Sequence, residues 1–257
     1  PNGIFLVTGP TGTGKTTTLY ASLRKINSLQ RKVLTAEDPI EYKFPFIKQT
    51  QVNEKAGYTF ARAMRAFLRQ DPDVILLGEM RDEETAEMAM RAAITGHLVL
   101  STLHTNDAVT AIPRLLEMNI KDYMIASGVG GILAQRLVRK VCIFCRKEAS
   151  IKGSELLKMG IPEDMLNRNG ISAEFDVSYM RGEGCEMCKG TGYSGRGVIS
   201  ELLEIDDEVG DLIVAGASPL KIYTKAVESG MIPILESGVL KMLKGVTTPE
   251  EILRVAL

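Results

Sequence analysis

The stretch Gly9-Pro10-Thr11-Gly12-Thr13-Gly14-Lys15-Thr16 directly follows the apolar run Ile4 to Val7. It has the pattern G-x-x-x-x-G-K-[ST], and the residues from Lys15 to Leu23 favour a helix. A buried strand, a glycine-rich turn and a helix in this order predict a P-loop, because unpaired backbone N–H groups at the start of a helix attract phosphate. The alternative is a glycine turn that precedes a helix by chance.

The polar groups of this loop suit a nucleoside triphosphate. Glycine lets the backbone curl with its N–H groups inward, Lys15 is long enough to reach the β- and γ-phosphates, and the Thr16 hydroxyl suits Mg²⁺. We therefore expect ATP and Mg²⁺ to bind here, with Thr16 as a magnesium ligand. The predicted nucleotide-binding residues are Gly9, Thr11, Gly12, Thr13, Gly14, Lys15, Thr16 and Thr17.

The composition of the chain fits one large or two modest globular domains, since 45% of its 257 residues are hydrophobic and 25% are charged. A net charge of −1 does not favour a polyanionic partner such as duplex DNA, which weakens a helicase interpretation without excluding it. No apolar run approaches the roughly 20 residues of a membrane span, and we expect no charged-then-apolar leader before the first strand. We expect a soluble, cytosolic protein and, because Pro1 nearly abuts that strand, a fragment of a longer one.

Carboxylates follow two of the predicted strands. The strand from Lys32 to Ala36 leads into Glu37-Asp38-Pro39-Ile40-Glu41, and the run from Asp73 to Leu77 leads into Gly78 and Glu79. The second run is a Walker B arrangement, although Gly78 stands where the simplest form has an acid. Because ligands bind at the carboxyl ends of parallel strands, Glu79 can orient or deprotonate an attacking water. Alternatively, Glu79 only caps the helix that follows it.

The two histidines of the chain bracket the predicted strand from Leu98 to Leu103. For His97, a packing or hydrogen-bonding role is as plausible as a functional one. His104 follows the carboxyl end of the strand, beside the predicted phosphate site. We therefore expect His104 to contact the γ-phosphate and to report its loss.

Hydrophobic periodicity predicts the remaining elements. A weak alternation from Lys48 to Val52 suggests a small edge strand, and Thr59 is a plausible N-cap for a helix from Phe60 to Gln70. Val198 to Ile205 is predicted as a strand. Further helical segments are expected between Met118 and Arg139. The other predicted helices are Glu83 to Ile94, Ala108 to Met118, Ser154 to Lys158, Pro162 to Asn167, Glu208 to Val214, Leu220 to Glu228, Ile234 to Lys244 and Pro249 to Val255.

All four cysteines occur as two C-x-x-C pairs, Cys142 with Cys145 and Cys185 with Cys188. Two such pairs are a strong signal for a tetrahedral zinc site with four thiolate ligands. Two redox-active pairs are the competing interpretation, and two structural disulfides are disfavoured because the cytosol keeps thiols reduced. A closed site of four cysteines leaves no position for water, so the zinc should stabilise a small module and not catalyse.

Four stretches in order resemble the Walker A, Asp box, Walker B and His box of the secretion ATPase superfamily. They are Gly9 to Thr16, Thr35 to Tyr42, Leu68 to Asp82 and Thr95 to Asn106, and the resemblance covers essentially the whole chain. The tetracysteine module followed by Gly190 to Arg196 resembles the assembly branch, which contains the type II secretion ATPases (GspE-like) and the type IV pilus assembly ATPases (PilB-like). Retraction ATPases generally lack these cysteines.

The resemblance implies an α/β fold with a RecA-like core and a central, mostly parallel sheet, hexameric rings, and an N-terminal domain that supplies arginines to the nucleotide site. It also implies that Glu79 and Glu41 organise Mg²⁺ and the attacking water, with His104 near the γ-phosphate. The chain departs from the family at Ser237-Gly238, where the pair is usually Asp-Gly.

We expect three parts: an ATPase core at 1–140, a zinc module at 141–198 and a mainly helical region at 199–257 packed on the core. The expected function is Mg²⁺-dependent ATP hydrolysis that powers type II secretion or type IV pilus assembly at the cytoplasmic face of the inner membrane. The expected partners are identical subunits in a homohexamer and the inner-membrane platform and accessory proteins of such a machine, with no specific nucleic acid. The alternatives are a hexameric nucleic-acid translocase and a weakly hydrolysing nucleotide-binding scaffold.

Overall fold

The structure is a computed structural model that describes residues 2–256. The chain divides into two compact units, the first formed by residues up to Ala134 together with Leu202–Met231, and the second by Gln135–Glu201 together with Ile232–Leu257. Among the described residues, no helix has both the length and the apolar content needed to cross a bilayer.

A mostly parallel sheet forms the centre of the first unit. Its strand order is β3-β2-β4-β5-β1-β6-β9, and the strands from β1 to β6 pair in parallel. A parallel sheet places the carboxyl ends of its strands at one edge, which is where ligands bind in α/β folds. The strands are β1 (Gly3–Thr8), β2 (Val33–Glu37), β3 (Ile47–Gln51), β4 (Val74–Leu77), β5 (Leu98–Leu103), β6 (Val129–Val141), β7 (Arg146–Lys152), β8 (Asp176–Gly182) and β9 (Tyr193–Glu204).

Helices follow most of these strands, and side chains cap several of them, including Thr59 as the sequence predicts. Thr59 accepts the N–H of Arg62 at the start of α2, and Asp82 accepts the N–H of Thr85 at the start of α3. The helices are α1 (Lys15–Ile26), α2 (Phe60–Phe67), α3 (Glu83–Ile94), α4 (Ala111–Glu117), α5 (Asp122–Gly128), α6 (Gly153–Lys158), α7 (Glu163–Arg168), α8 (Asp207–Val214), α9 (Pro219–Glu228), α10 (Ile234–Leu243) and α11 (Pro249–Ala256).

Both faces of the parallel sheet are buried, as an α/β fold requires. Alternate residues of β4 belong to different cores: Ile75 and Leu77 pack in the cluster that contains residues of α2 and α3, whereas Val74 and Leu76 pack in the cluster that contains residues of α1. Helix α1, which begins at the predicted P-loop, is therefore fixed against one face of the sheet.

The second unit has its own core and contains the antiparallel pair β7–β8. Gly238 of α10 lies so close to α11 that a Cβ atom at this position would meet Ile252 Cγ2 at 2.6 Å. This close approach gives a packing reason for the glycine of the Ser237-Gly238 pair. The core residues of this unit include Leu156, Ile161, Leu166, Tyr179, Val239, Met242 and Ile252.

The α/β class with a mostly parallel sheet is confirmed, but parts of the predicted secondary structure are wrong. Helix does not continue to Arg139, because strand β6 begins directly after α5 and pairs with β1. Helix α2 ends at Phe67 and not at Gln70, and α4 begins at Ala111 and not at Ala108. The pair β7–β8 was not predicted.

The two compact units do not follow the expected ranges 1–140, 141–198 and 199–257. Residues 202–231 group with the first unit, whereas 232–257 group with the second. The reason is that β6 and β9 each continue from one unit into the other along the chain. The division into a core at 1–140, a zinc module at 141–198 and a helical region at 199–257 stays a prediction.

Candidate functional site

The loop from Gly9 to Gly14 joins β1 to α1 at the carboxyl edge of the sheet. Gly14 is the residue before α1 and has φ of 87°, in the left-handed region that glycine adopts without strain. No side chain of the described residues caps α1, so the N–H groups of its first turn are not taken by a capping side chain. A loop of this kind is suited to binding an anion.

The side chain of Lys15 lies inside this loop and is largely buried. Its ammonium group donates to the carbonyl oxygens of Gly9 at 2.7 Å and Pro10 at 3.0 Å. Thr16 and Thr17 are exposed at the start of α1, and Thr11 is exposed in the loop. The predicted nucleotide-binding residues thus lie in one loop and the first turn of α1. The Lys15 ammonium lies among the backbone carbonyls of the loop, and the threonine residues lie on its exposed side.

Hydroxyl groups tie the neighbouring strand ends together. The Oγ1 atoms of Thr8 and Thr105 lie 2.6 Å apart, and the Thr105 N–H donates to Thr8 Oγ1 at 2.9 Å. The Thr102 hydroxyl donates to the carbonyl oxygen of Gly78 at 2.7 Å. These bonds fix the ends of β1, β4 and β5 relative to one another. Sequence reasoning did not single out these threonines, since a threonine in a strand has no pattern of its own.

Glu79 follows β4 at the same edge, and two basic side chains flank its carboxylate. One oxygen forms an ion pair with Arg81, and the other lies 3.6 Å from Nε2 of His104. The hydrogen bond with Glu79 raises the pKa of Arg81 above its ordinary value, and so holds Arg81 in its charged form. Asp82, and not Glu79, caps α3, so the capping alternative for Glu79 is wrong.

Arg81 is the charged residue of this site that sequence reasoning missed. It also lies 3.7 Å from Glu54, which follows β3. Its position two residues after Glu79 was the available signal, because a cation so near a predicted catalytic carboxylate is a natural partner for it.

Two other residues considered in the sequence analysis, Glu41 and His97, lie on different segments of the chain. Glu41 is exposed in the loop after β2, and its backbone N–H donates to the Tyr20 hydroxyl at 3.1 Å. His97 lies at the amino end of β5, at the opposite end of the strand from His104, and its Nδ1 atom is 2.9 Å from the carbonyl oxygen of Ala92. These contacts indicate a hydrogen-bonding role for His97.

In the second unit, the four cysteines come together. The four Sγ atoms all lie within 4.8 Å of one another. Three of the Sγ···Sγ distances are 3.9 Å for Cys142–Cys185, 3.8 Å for Cys145–Cys188 and 3.7 Å for Cys185–Cys188. Zinc–sulfur bonds of about 2.3 Å in a tetrahedron put sulfur atoms about 3.8 Å apart, so the cluster fits zinc. The same distances are far longer than the roughly 2.05 Å of a disulfide bond.

Backbone donors also prepare the cluster for a cation. The N–H groups of Cys185 and Gly192 lie 3.1 Å and 3.3 Å from the Sγ atom of Cys188. Burial alone would raise the pKa of Cys188, but hydrogen bonds from these backbone groups and from the Cys185 and Cys145 thiols outweigh it and lower the pKa to about 6. Burial instead raises the pKa of Cys145, in the same cluster, to about 12. A thiolate is the form that binds zinc.

Comparisons with known proteins agree with this arrangement. A model of the family described as "Type II/IV secretion system protein" matches residues 1–254. The chain is 50% identical over 254 residues to "Type IV pilus assembly ATPase PilB" of Thermus thermophilus, which covers 98% of this chain and 28% of that protein. It is 49% identical over 255 residues to "Type II secretion system protein E" of Dickeya dadantii, which covers 99% of this chain and 49% of that protein. The chain therefore spans about half the length of these relatives, or less.

Solved structures show the same similarity. The fold matches the pilus retraction motor PilT with bound ADP at a TM-score of 0.71 and 30% identity, covering 99% of this chain and 61% of that chain. It also matches the Legionella pneumophila ATPase DotB at a TM-score of 0.67 and 24% identity, covering 98% and 59%, a likeness that concerns the fold alone. The resemblance inferred from the four motifs is confirmed, and the chain belongs to the type II/IV secretion system protein family.

Proposed function

We propose that this chain binds ATP with Mg²⁺ at the loop from Gly9 to Thr16 and hydrolyses it. The observation that carries the proposal is the meeting of three groups at one sheet edge: the Lys15 ammonium inside the loop, and Glu79 beside His104 after the neighbouring strands. Phosphoryl transfer asks the protein mainly for positioning and charge neutralisation, and these groups suit both tasks.

Each residue of the site has a separate role in this proposal. The loop N–H groups and Lys15 hold the phosphates, and Thr16 is the protein ligand of Mg²⁺, which neutralises phosphate charge when it is bound. Glu79 and Glu41 orient the attacking water, with Glu79 held by Arg81. His104 contacts the γ-phosphate, and its exposed side chain is free to approach a ligand from the open side of the edge. The position of the Lys15 ammonium inside the loop and the contacts of Glu79 with Arg81 and His104 support the roles of these residues.

The cysteine cluster has a structural role in the same proposal. Cys142, Cys145, Cys185 and Cys188 hold one zinc ion, and four thiolates complete its coordination. No coordination position is then left for water or substrate. The zinc joins two distant segments of the chain and stabilises the module at 141–198.

The process that ATP hydrolysis drives is inferred from the relatives. Proteins with the names type IV pilus assembly ATPase and type II secretion system protein E are about half identical to this chain. We infer that hydrolysis drives protein secretion or pilus assembly, in a homohexamer at the cytoplasmic face of the inner membrane, through platform and accessory proteins and without a specific nucleic acid. The 1–140 core and the 199–257 region belong to this motor.

Phosphate release from ATP tests the proposed function. The purified protein should release phosphate with Mg²⁺ present and should stop when EDTA is added. Stimulation by single-stranded or duplex DNA would instead support a nucleic-acid translocase. The same assay should be repeated with the upstream region of a full-length relative fused to this chain. If both the chain alone and the fusion bind ATP tightly but do not hydrolyse it, the protein is a scaffold and not a motor.

A further inference from the structure

A carboxyl group that the proposed chemistry does not use is buried at the end of β2. Glu37 is only 3% exposed, yet its oxygens accept hydrogen bonds from three side chains. The donors are the hydroxyls of Tyr20 and Thr35 and the amide of Gln49, the last at 3.0 Å. Because these donors occupy its oxygens and only 3% of the residue is exposed, Glu37 is poorly placed to orient an attacking water. A buried polar group so well satisfied is more suited to fixing structure.

Tyr20 connects this buried carboxyl group to the loop that follows β2. Its hydroxyl donates to Glu37 and at the same time accepts the backbone N–H of Glu41 at 3.1 Å. Burial, and then the hydrogen bond with Glu37, raise the pKa of Tyr20 to about 12. The phenol therefore keeps its proton at neutral pH and remains a donor.

Two further contacts hold the same loop. The ring of Tyr20 packs against Tyr42 and Phe44, with centroids 5.3 Å and 4.9 Å away. Gln49, which binds Glu37, also donates to the carbonyl oxygen of Tyr42 at 2.9 Å. The backbone on the carboxyl side of Glu41 is thereby fixed, while the Glu41 side chain stays exposed.

Tyr20 lies in α1, the helix whose first residues are Lys15 and Thr16. The same helix therefore carries the proposed phosphate-binding residues in its first turn and, little more than one turn later, the tyrosine that binds the Glu41 backbone. We infer that Tyr20, held by Glu37, is a positioning residue that fixes Glu41 relative to the bound phosphates. This inference rests on the proposed ATP hydrolysis and deepens it, since well-placed groups can be worth large factors in rate.

The test removes one oxygen atom. In Tyr20→Phe the ring contacts remain, but the bonds to Glu37 and to the Glu41 N–H are lost. We expect kcat for ATP to fall by about tenfold or more while the dissociation constant for ATP changes by less than about twofold. Tyr42→Phe is the matched control, because it removes a hydroxyl from the adjacent exposed ring, and this variant should keep the wild-type rate.

A double-variant comparison separates positioning from a merely structural role. If Tyr20 acts through Glu41, Tyr20→Phe should cost nothing further in a Glu41→Gln protein. Amide hydrogen exchange adds a readout that needs no activity: the Glu41 N–H should exchange faster in Tyr20→Phe than in the wild type, even if the substitution also lowers the melting temperature. Unchanged exchange, or equal rate losses in both backgrounds, would overturn the inference.

The two proposals fail in different ways. A wild-type protein that releases no phosphate from ATP would remove the proposed function, and the role of Tyr20 would fall with it. An active wild type whose Tyr20→Phe variant is equally fast would leave the proposed function standing and remove only the role of Tyr20.

Discussion

The imidazole of His104 lies beside the carboxylate of Glu79, with 3.6 Å between Nε2 and Oε2. The two residues follow β4 and β5, which pair in parallel with Ile75 opposite Val99. The side chain of Glu79 is 14% exposed and that of His104 is 53% exposed, so the carboxylate lies deeper and the imidazole lies at the rim. A ligand that enters from the open edge would meet His104 and reach Glu79 from the same side.

Removal of the loop cation should abolish nucleotide binding. Lys15→Ala deletes the ammonium that lies inside the P-loop, so we expect ATP affinity to fall by about a hundredfold or more, consistent with the loss of charge-assisted bonds to two phosphates. Equilibrium binding of a fluorescent ATP analogue measures the change. Lys25→Ala, on the exposed last turn of the same helix, is the control and should bind normally. Retained tight binding in Lys15→Ala would refute the assignment.

The two histidines should differ in their effect on hydrolysis. His104→Asn removes the proposed contact with the γ-phosphate and should lower kcat by about tenfold, the worth of one charge-assisted hydrogen bond. His97→Asn, at the other end of β5, should leave kcat within about twofold and lower only the melting temperature. Steady-state kinetics of both variants decide the matter. An equal loss of kcat in the two variants would mean that His104 has no special role.

The cysteine cluster should hold one zinc ion per chain. Cys142→Ser removes one of the four ligands, so we expect zinc to be lost and the melting temperature to fall by roughly 10 °C. Metal analysis and thermal unfolding measure the two effects. Met187→Ser is a suitable control, since Met187 lies between Cys185 and Cys188 in the sequence but is exposed and is not a member of the cysteine cluster. A metal-free wild type of full stability would exclude a structural zinc.

Acid should weaken the second unit through Glu251. Its buried carboxylate receives hydrogen bonds from Arg254 and Arg139, which outweigh the opposing effect of burial and lower its pKa from 4.5 to about 2. Because the folded pKa is the lower one, this stabilisation is complete above about pH 4.5 and is lost as the pH falls through 2. The shift corresponds to about 3 kcal/mol of unfolding free energy.

Glu251→Gln should therefore have a lower free energy of unfolding than the wild type at neutral pH. This difference in stability, the gap between the two proteins, should shrink as the pH falls towards 2. Denaturant unfolding at several pH values measures it. Glu250→Gln, at the exposed neighbouring carboxyl group, should show no such gap. A gap that is independent of pH would mean that Glu251 stabilises by shape alone.

The sequence identified the elements that carry strong local patterns. The P-loop, β4 with Glu79, and the cysteine pairs each have a fixed spacing, and α2 has the Thr59 cap at its start. Each of these signals is contained in a short stretch of sequence, so no knowledge of the rest of the fold is needed to find it.

Features that depend on distant partners were missed. Strand β6 contains Gly130 and Gly131, which weaken its local preference, and it becomes a strand by pairing with β1 far away in the sequence. The links from Thr8 to Thr105 and from Tyr20 to Glu37 also arise only when separate strands and helices pack. No periodicity in one segment can show them.

Single-turnover cleavage of ATP by Glu79→Gln tests the central claim most directly. This substitution keeps the shape of the side chain but removes the charge that pairs with Arg81. We expect ATP to bind with wild-type affinity and cleavage to slow by about a hundredfold or more, as for loss of a general base. Glu87→Gln, in an exposed ion pair on α3, should cleave at the normal rate. Cleavage by Glu79→Gln at the wild-type rate would contradict the account.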